Sequence, residues 1–173
     1  GQTDWWMEQP DEVIWAQLPP SEIPRAHFTN CHQGCPGCGT AVFRHSGFYP
    51  WRRSHRPCDF RSTCPSCGAV YPSNDLAQGD FVSGDFVDDG YGYFDPGGHI
   101  YLFAATYHRD QIQAFVAGMG ALSRRLQSDP TDEAAARRLG LMLARYAVEE
   151  CYLAAVPQFR YGPSKGVEEP WDW

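Results

Sequence analysis

The sequence has no long hydrophobic run. Its longest largely apolar stretch, residues 100–107, is far shorter than the about 20 residues that a transmembrane helix needs. The N-terminus also lacks the charged and then apolar pattern of a signal peptide, so any export signal must already have been removed. We therefore expect no contact with a membrane, and we favour a periplasmic or secreted location over a cytoplasmic one.

Basic residues are also scarce. The chain has 14 Lys and Arg against 21 Asp and Glu, a formal net charge of −7 and a pI near 5.2. This balance argues against general affinity for nucleic acid, which depends on many cations that neutralise phosphates. Five arginines stand against one aspartate between residues 44 and 61, however, which gives that stretch a local charge of +4. The uneven distribution predicts an anionic partner that is met at one place.

Cysteine is present in a pattern that predicts a metal centre. Residues 35–39 read Cys-Pro-Gly-Cys-Gly and residues 64–68 read Cys-Pro-Ser-Cys-Gly, with twenty-five residues between Cys38 and Cys64. Four thiolates from two such knuckles are the ligands that a structural Zn²⁺ prefers, and the glycine after each second cysteine can adopt the left-handed backbone that points amides at sulfur. We predict one structural zinc ion on Cys35, Cys38, Cys64 and Cys67. Two disulfides are the alternative.

Three further cysteines complete an odd total of seven: Cys31, Cys58 and Cys151. A Cys31–Cys58 bridge across the zinc loop is possible in a secreted protein, and buried free thiols are the alternative.

A chain of 173 residues is long enough for one domain with a core, or for a small metal module joined to part of something larger. We predict a mainly α-helical chain with five segments. They are an N-terminal arm with short helices (1–30), a zinc-ribbon-like β insertion (31–78) with strands around 40–43 and 69–71, an irregular segment rich in Gly, Asp and aromatic residues (79–107), an antiparallel helix pair (108–157), and an exposed connection (158–173).

The first helix of the pair is predicted from His108 to about Gln127. Apolar residues recur there at the three-and-four spacing of an amphipathic helix. They are Ile112, Phe115, Val116, Met119, Leu122 and Leu126. Gly118 and Gly120 weaken this helix, so we expect them to mark close packing of another helix.

The second helix is predicted to follow a restart signal, with Asp129 as N-cap and Pro130 as first helical residue, and to run to about Ala155. Its inner side is expected to carry Leu139, Met142, Leu143, Tyr146 and Leu153. Two helices leave apolar faces that one neighbour cannot cover. We therefore expect the chain to be the first part of a larger helical array, or one piece of a cut protein.

Three runs of the sequence carry a family resemblance: Phe48-Tyr49-Pro50-Trp51, then Cys64-Pro65-Ser66-Cys67-Gly68-Ala69-Val70-Tyr71-Pro72-Ser73-Asn74-Asp75, then Asp88-Asp89-Gly90-Tyr91-Gly92. Together they resemble the N-terminal region of heparinase II/III-like polysaccharide lyases. The resemblance covers about residues 28–107, and the helix pair that follows stands where this family begins its (α/α) toroid.

The resemblance implies an enzyme, a carbon–oxygen lyase that cleaves uronic-acid-containing polysaccharides such as glycosaminoglycans by β-elimination. The reaction needs a group that neutralises the uronate carboxylate, and a Tyr or His pair that moves the protons. In the family these residues come mainly from later toroid helices and a β-sandwich domain. The catalytic residues are therefore expected outside this chain, whose partners would be the anionic polysaccharide and the remainder of the same enzyme.

The Arg-rich loop is the predicted place of substrate contact. Arg52, Arg53 and Arg56 can pair with carboxylate or sulfate, and Trp51 offers a flat face for sugar. The alternative is that the aromatic residues plug the join between ribbon and helices while the arginines pair with acids of this chain. His99 is a further candidate, grouped with Tyr101, Tyr107 and His108 before the first long helix; an ordinary packing role is the alternative.

Two polar groups in the same region have structural explanations. Asp85, Asp88 and Asp89 lack the ligand spacing of a known calcium loop and favour a solvated turn. Asn74 and Asp75 favour a side-chain-stabilised turn or a helix cap.

Two other functions compete with the lyase. A non-enzymatic zinc-ribbon module that binds a protein or nucleic acid is favoured by the four cysteines and the basic loop, and disfavoured by the net negative charge. A helical-repeat adaptor would need a second copy of the helix pair, which the sequence lacks.

Overall fold

The computed structural model describes most of the helical part of the chain and the segments around the two knuckles. The described residues are 2–19, 25–26, 29, 34–47, 50–53, 59–72, 82–83, 86–87, 93–94, 97, 100–155 and 158–159. Within them the chain is mainly helical and carries a small three-stranded sheet, as the sequence predicts.

Two short helices open the chain, α1 (Gln2–Glu8) and α2 (Asp11–Ala16). Pro10 separates them with φ −57° and ψ 154°. Its ring fixes φ near about −65°, and because it has no backbone N–H it cannot continue the hydrogen bonds of α1. Two acidic residues, Asp11 and Glu12, then occupy the first turn of α2, where they complement the helix dipole. The predicted short helices of the N-terminal arm are confirmed.

Helix α4 (Phe103–Ser128) begins five residues before the predicted start at His108. All side chains from Tyr101 to His108 are buried, so this stretch shows no alternation of apolar and polar residues from which a helix could be predicted. The amide and the hydroxyl of Thr106 both donate to the carbonyl of Leu102, at 3.0 and 2.8 Å, and fix the first turn.

Helix α5 (Glu133–Ala155) begins three residues later than a cap at Asp129 would give, so that prediction is wrong. Asp132 is the cap: its Oδ1 accepts a hydrogen bond from the amide of Ala135 at 2.9 Å, and its Oδ2 lies 2.6 Å from Nε of Arg125. Asp129 instead accepts hydrogen bonds from the amide and hydroxyl of Thr131, so Pro130 lies in the connecting turn. The arginine of the preceding helix thus favours the second aspartate as the cap.

One apolar cluster joins the N-terminal helices to α4 and α5. Its buried members are Trp6, Ile14, Leu18, Phe115, Leu122, Ala135 and Met142, and the partly buried residues packed against it include Ile112, Met119, Leu126, Leu139 and Tyr146. These members confirm most of the predicted inner faces. Leu153 has no described side-chain environment.

Two residues predicted to be inside are exposed, Val116 at 44% and Leu143 at 51%. Each lies about 200° around its helix from a buried residue two positions away, Gly118 and Arg145 respectively. Each helix is therefore turned about its own axis so that Gly118 or Arg145 faces the interior. A hydrophobic pattern does not identify a glycine or an arginine as an interior residue.

Gly118 marks a close contact, as predicted, although the neighbour is an indole. A Cβ on Gly118 would lie 2.5 Å from Cε2 of Trp6 in helix α1. The same prediction is wrong for Gly120, where the atom nearest to the position of an added Cβ is Nη1 of Arg124 in its own helix, at 3.6 Å.

The small sheet has the order β2-β3-β4 and is antiparallel: β2 (Arg52–Arg53), β3 (Ser62–Thr63) and β4 (Val70–Tyr71). The predicted strand near residue 70 is confirmed. The one predicted at 40–43 is wrong, because the chain forms a 3₁₀ turn (Thr40–Val42) and the short helix α3 (Phe43–Ser46). Hydrogen bonds from the amides of Ala41 and Val42 to the preceding knuckle outweigh the β propensity of Thr40 and Val42.

The remaining strands are two residues each. β5 (Val82–Ser83) pairs with β6 (Phe86–Val87), and β7 (Tyr93–Phe94) pairs with β8 (Ile100–Tyr101), both antiparallel. β1 (Arg25–Ala26) pairs in parallel with β9 (Gln158–Phe159), so the segment predicted as an exposed connection begins with a strand.

The chain divides into two compact units. The first comprises Gly1–Glu22, His55–Asp59 and Asp110–Val156, and the second comprises Ile23–Ser54, Phe60–Arg109 and Pro157–Trp173. The first unit contains the apolar cluster of the helices, and the second contains both cysteine knuckles. None of the helices in the described part of the chain combines the length and the apolar character that crossing a bilayer requires.

Candidate metal centre

Each knuckle is a tight turn closed by backbone hydrogen bonds. In the first, the amide of Gly39 donates to the carbonyl of Cys35 at 2.8 Å, and the amide of Cys35 donates to the carbonyl of Gly39 at 3.0 Å. In the second, the amide of Gly68 donates to the carbonyl of Cys64 at 2.9 Å. Gly39 and Gly68 have φ of 59° and 76°, the left-handed backbone expected at these positions.

These turns direct amides at sulfur. The amide of Gly37 donates to Sγ of Cys35 at 3.3 Å, and the amide of Cys38 also donates to that sulfur. The equivalent amides of the second knuckle, from Ser66 and Cys67, donate to Sγ of Cys64. Such hydrogen bonds stabilise a thiolate more than a neutral thiol, so both turns are built to hold negatively charged sulfur.

The two knuckles bring their four sulfurs together. All four Sγ atoms lie within 4.8 Å of one another, and the cross-knuckle pairs Cys35–Cys67 and Cys38–Cys64 are 3.7 and 3.6 Å apart. A tetrahedron with metal–sulfur bonds of about 2.3 Å has edges of about 3.8 Å, so these spacings fit a zinc ion. None of these four cysteines is paired in a disulfide. This agrees with the predicted metal centre and not with the alternative of two disulfides.

Burial differs among the four ligands. Cys35 and Cys64 are buried, Cys38 is half-buried and Cys67 is exposed. Burial raises the pKa of Cys35 to about 12 and also raises the pKa of Cys38. Burial acts in the same direction on Cys64, but the amides of Cys67 and Ser66 outweigh it and lower the pKa of that thiol. At neutral pH an incoming metal ion must therefore displace protons from the sulfurs.

Aromatic side chains pack against the knuckles within the same unit. Trp51 and Tyr71 contact the cluster formed by Cys35, Val42 and Cys64, and they also contact the cluster of Tyr101 and Phe103. The rings of Tyr71 and Phe103 are stacked with their centroids 4.5 Å apart, and Trp51 meets Phe103 edge-on at 5.0 Å. Burial raises the pKa of the Tyr71 phenol, and the neighbouring Cys35 adds to this effect.

The predicted substrate-contact residues differ in their exposure to solvent. Arg52 is exposed on strand β2, Arg53 is half-buried beside it, and Trp51 is half-buried in the aromatic packing just described. This position of Trp51 agrees with the alternative in which it serves packing. Arg56 and His99 lie outside the described residues.

The residues grouped with His99 are all interior. Tyr101, Tyr107 and His108 are buried at 2%, 6% and 5% exposure, and the Tyr107 ring meets Phe60 edge-on at 5.4 Å. They therefore do not form a free surface for a ligand in the structure. The other sequence-derived candidates lie outside the described residues, namely Cys31, Cys58, Asn74, Asp75, Asp85, Asp88 and Asp89, and Cys151 lies in helix α5 with no described side-chain environment.

Tyr71 was not predicted as a neighbour of the candidate metal centre. A signal was present, because Tyr71 follows the second knuckle in a strand, and the short span from Cys67 keeps its side chain near the sulfurs. Nothing in the sequence pattern indicated that Phe103 would stack on it.

Comparisons with known proteins add no relative: no protein-family model matches the chain, and it matches no curated protein and no solved structure.

Proposed function

We propose that this chain is the N-terminal part of a polysaccharide lyase that cleaves an anionic, uronic-acid-containing polysaccharide by β-elimination, and that a zinc ion braces it. One observation carries the proposal. Trp51 and the segment 64–71 belong to two of the three runs that carry the family resemblance, and they supply two of the four cysteines of the centre and part of its aromatic surround. Described residues of two of the three runs thus meet in one structural unit, while the third run, 88–92, lies outside the described residues.

The four-cysteine centre supports a structural role for the metal in this proposal. Four thiolates complete the coordination that Zn²⁺ prefers in structural sites and leave no position for water or substrate. The ion would hold the two knuckles together and supply no chemistry to the sugar. Cys35, Cys38, Cys64 and Cys67 would be its ligands.

The exposed guanidinium of Arg52 supports contact with an anionic polymer. Arginine pairs with carboxylate or sulfate through two parallel hydrogen bonds, and Arg52 stands on the edge strand of the small sheet with its side chain in solvent. In the proposed enzyme this contact would help to bind the polymer. The groups that remove and return the proton belong to parts of the enzyme beyond this chain.

The test is an assay of the intact protein against glycosaminoglycans, alginate and ulvan. β-Elimination leaves a double bond in the uronate at the new end, so product formation is followed by ultraviolet absorbance. We expect absorbance to rise with at least one of these polymers. If none of them gives the unsaturated product while the protein is folded and loaded with metal, the lyase proposal is wrong.

A second candidate is a non-enzymatic zinc module that binds an anionic macromolecule. The observation that favours it is the exposure of Arg44 and His45 on helix α3, immediately after the first knuckle. Retention of oligonucleotides that weakens steeply with added salt would support this function, and retention that is absent at low salt would exclude it.

A further inference from the structure

Tyr71 belongs to two clusters at once. Its side chain packs against the knuckle cluster of Cys35, Val42 and Cys64, and it also packs against Tyr101 and Phe103. The phenol oxygen lies beside the first knuckle, 3.7 Å from the point where a Cβ on Gly37 would be; Sγ of Cys67 is equally close to that point. Cys35 is also close enough to act on the Tyr71 phenol, whose pKa it raises in addition to the effect of burial.

Tyr71 also contacts the beginning of the long helix α4. The rings of Tyr71 and Phe103 are stacked at 4.5 Å with an interplanar angle of 15°, and Phe103 is the first residue of α4. Tyr101 belongs to the same chain of rings, 5.8 Å from Phe103 and parallel to it within 1°. Phe103 is 1% exposed, so its position depends on these neighbours.

A metal-bound sulfur changes what the Tyr71 hydroxyl can do. Sulfur held on a metal carries no proton and can only accept, and a charged acceptor makes a stronger hydrogen bond than a neutral one. The hydroxyl is then fixed as a donor towards Cys35, which fixes the direction of the ring. Because the ring is stacked on Phe103, the first turn of α4 is fixed with it.

We propose that Tyr71 is the positioning residue through which metal occupancy of the four-cysteine centre orders the first turns of helix α4, an inference that rests on the metal centre of the proposed function. The buried residues Thr106, Tyr107 and His108 lie in these turns. Loss of the metal would therefore loosen a segment that is distant in sequence from every ligand.

The experiment compares wild type with Tyr71→Phe and with the matched control Tyr101→Phe. Each variant loses one hydroxyl and keeps its ring, and both rings stack on Phe103, but only Tyr71 contacts the knuckles. Metal content and affinity are measured for Zn²⁺ and Co²⁺. Hydrogen exchange is measured at the amides of residues 106–109, with and without zinc.

In wild type we expect zinc to slow exchange at these amides by about tenfold or more, the effect of one hydrogen bond to a charged group. Tyr71→Phe should still bind one metal ion per chain, with affinity lower by about tenfold, and should lose most of the slowing. Its cobalt form should show the sulfur-to-cobalt absorption at lower energy, because a thiolate that loses a hydrogen bond is a better electron donor. Tyr101→Phe should match wild type in affinity and in the cobalt spectrum.

The outcomes separate this inference from the proposed function. If Tyr71→Phe binds metal and shows the wild-type slowing and cobalt spectrum, the role of Tyr71 is wrong while the metal centre stands. If zinc binds to wild type without slowing hydrogen exchange at the amides of residues 106–109, metal binding does not order the start of α4. The proposed role of Tyr71 is then wrong, while the metal centre stands. If no metal binds to wild type, the metal centre and this inference both fail. Lyase activity is assayed separately and enters none of these comparisons.

Discussion

Gly118 is the position at which a single methyl group should destabilise the protein. A Cβ there would lie 2.5 Å from Cε2 and 2.6 Å from Nε1 of the Trp6 indole, well inside van der Waals contact. The indole is 2% exposed and meets the rings of Trp5 and Phe115 edge-on at 4.8 and 5.8 Å. It has no space into which to move, so Gly118→Ala requires helix α1 or α4 to shift.

Two effects of opposite sign decide the magnitude. Alanine is better than glycine in a helix interior by about 1 kcal/mol, which would stabilise α4. Overpacking a buried contact costs about 1–3 kcal/mol, and a clash with a rigid ring belongs at the upper end of that range. We expect Gly118→Ala to lower the free energy of unfolding by about 2 kcal/mol.

Urea unfolding of three variants tests this reasoning. Gly140→Ala is the matched control, because no atom lies within 4 Å of its Cβ position, and it should raise the free energy of unfolding by up to about 1 kcal/mol. Trp6→Phe should cost less in the Gly118→Ala background than in wild type, since the smaller ring relieves the clash. A Gly118→Ala protein as stable as wild type would refute the close contact on which the packing of α1 depends.

Four further predictions concern the metal, pH and one buried cation. Metal analysis should give about one zinc per chain; chelation should lower the melting temperature of wild type but not of Cys64→Ala, because structural zinc contributes on the order of 10 kcal/mol of apparent binding free energy. Calorimetry in buffers of different ionisation enthalpy should show at least two protons released per zinc at pH 7, from Cys35 and Cys38, because burial raises the pKa of Cys35 to about 12 and also raises that of Cys38. Release of fewer than two protons would contradict this. The amide of Ala135 and then Arg125 hold the pKa of Asp132 below its usual 3.8, so the stability that this carboxylate contributes is present above pH 3.8 and is lost as pH falls through the lower pKa of the folded state. The difference in stability between wild type and Asp132→Asn should therefore vanish in acid. A difference that persists at pH 2 would be contrary evidence. Arg145→Met should lower the free energy of unfolding in urea by about 3 kcal/mol, because the buried guanidinium binds the carbonyls of Trp15 and Leu18 and the carboxylate of Glu149. Arg145→Lys should recover part of the loss. An Arg145→Met protein as stable as wild type would exclude this role.

The sequence predicted best what is encoded within a few residues. Each knuckle is complete in five residues, so its turn, its glycine conformation and its ligands could all be read from the chain. The break between the two long helices was predicted for the same reason, because Asp129 and Pro130 stand next to each other in the chain. The N-cap was placed wrongly because Asp129 and Asp132 are equally good locally, and the choice depends on Arg125 of the preceding helix.

Packing partners could not be predicted, since they depend on residues far apart in the chain. The hydrophobic pattern placed Leu143 inside, yet Arg145 is the buried residue because carbonyls at the end of α2 accept its hydrogen bonds. The start of α4 was missed because every side chain around it is buried and no periodicity remains. Side-chain polarity predicts burial wrongly where tertiary hydrogen bonds satisfy a polar group, as at Arg145. It also fails to predict a helix whose faces are all covered, as at the start of α4.

The composition of the knuckle cluster indicates how a bound metal ion would stabilise it. Its fully buried members are Cys35, Val42 and Cys64, so only Val42 contributes a branched aliphatic side chain. The other apolar side chains that cover the knuckles, such as Phe43, Trp51 and Tyr71, are only partly buried, so little fully buried apolar surface offsets the conformational entropy lost by two turns that are closed by a few backbone hydrogen bonds. The four sulfurs lie within 4.8 Å of one another and would repel if all were ionised, and burial keeps Cys35 and Cys38 protonated at neutral pH when no cation lies between them. A divalent ion bound to these four sulfurs would be the principal cross-link of the unit, and Tyr71 would extend its effect to the first turn of α4.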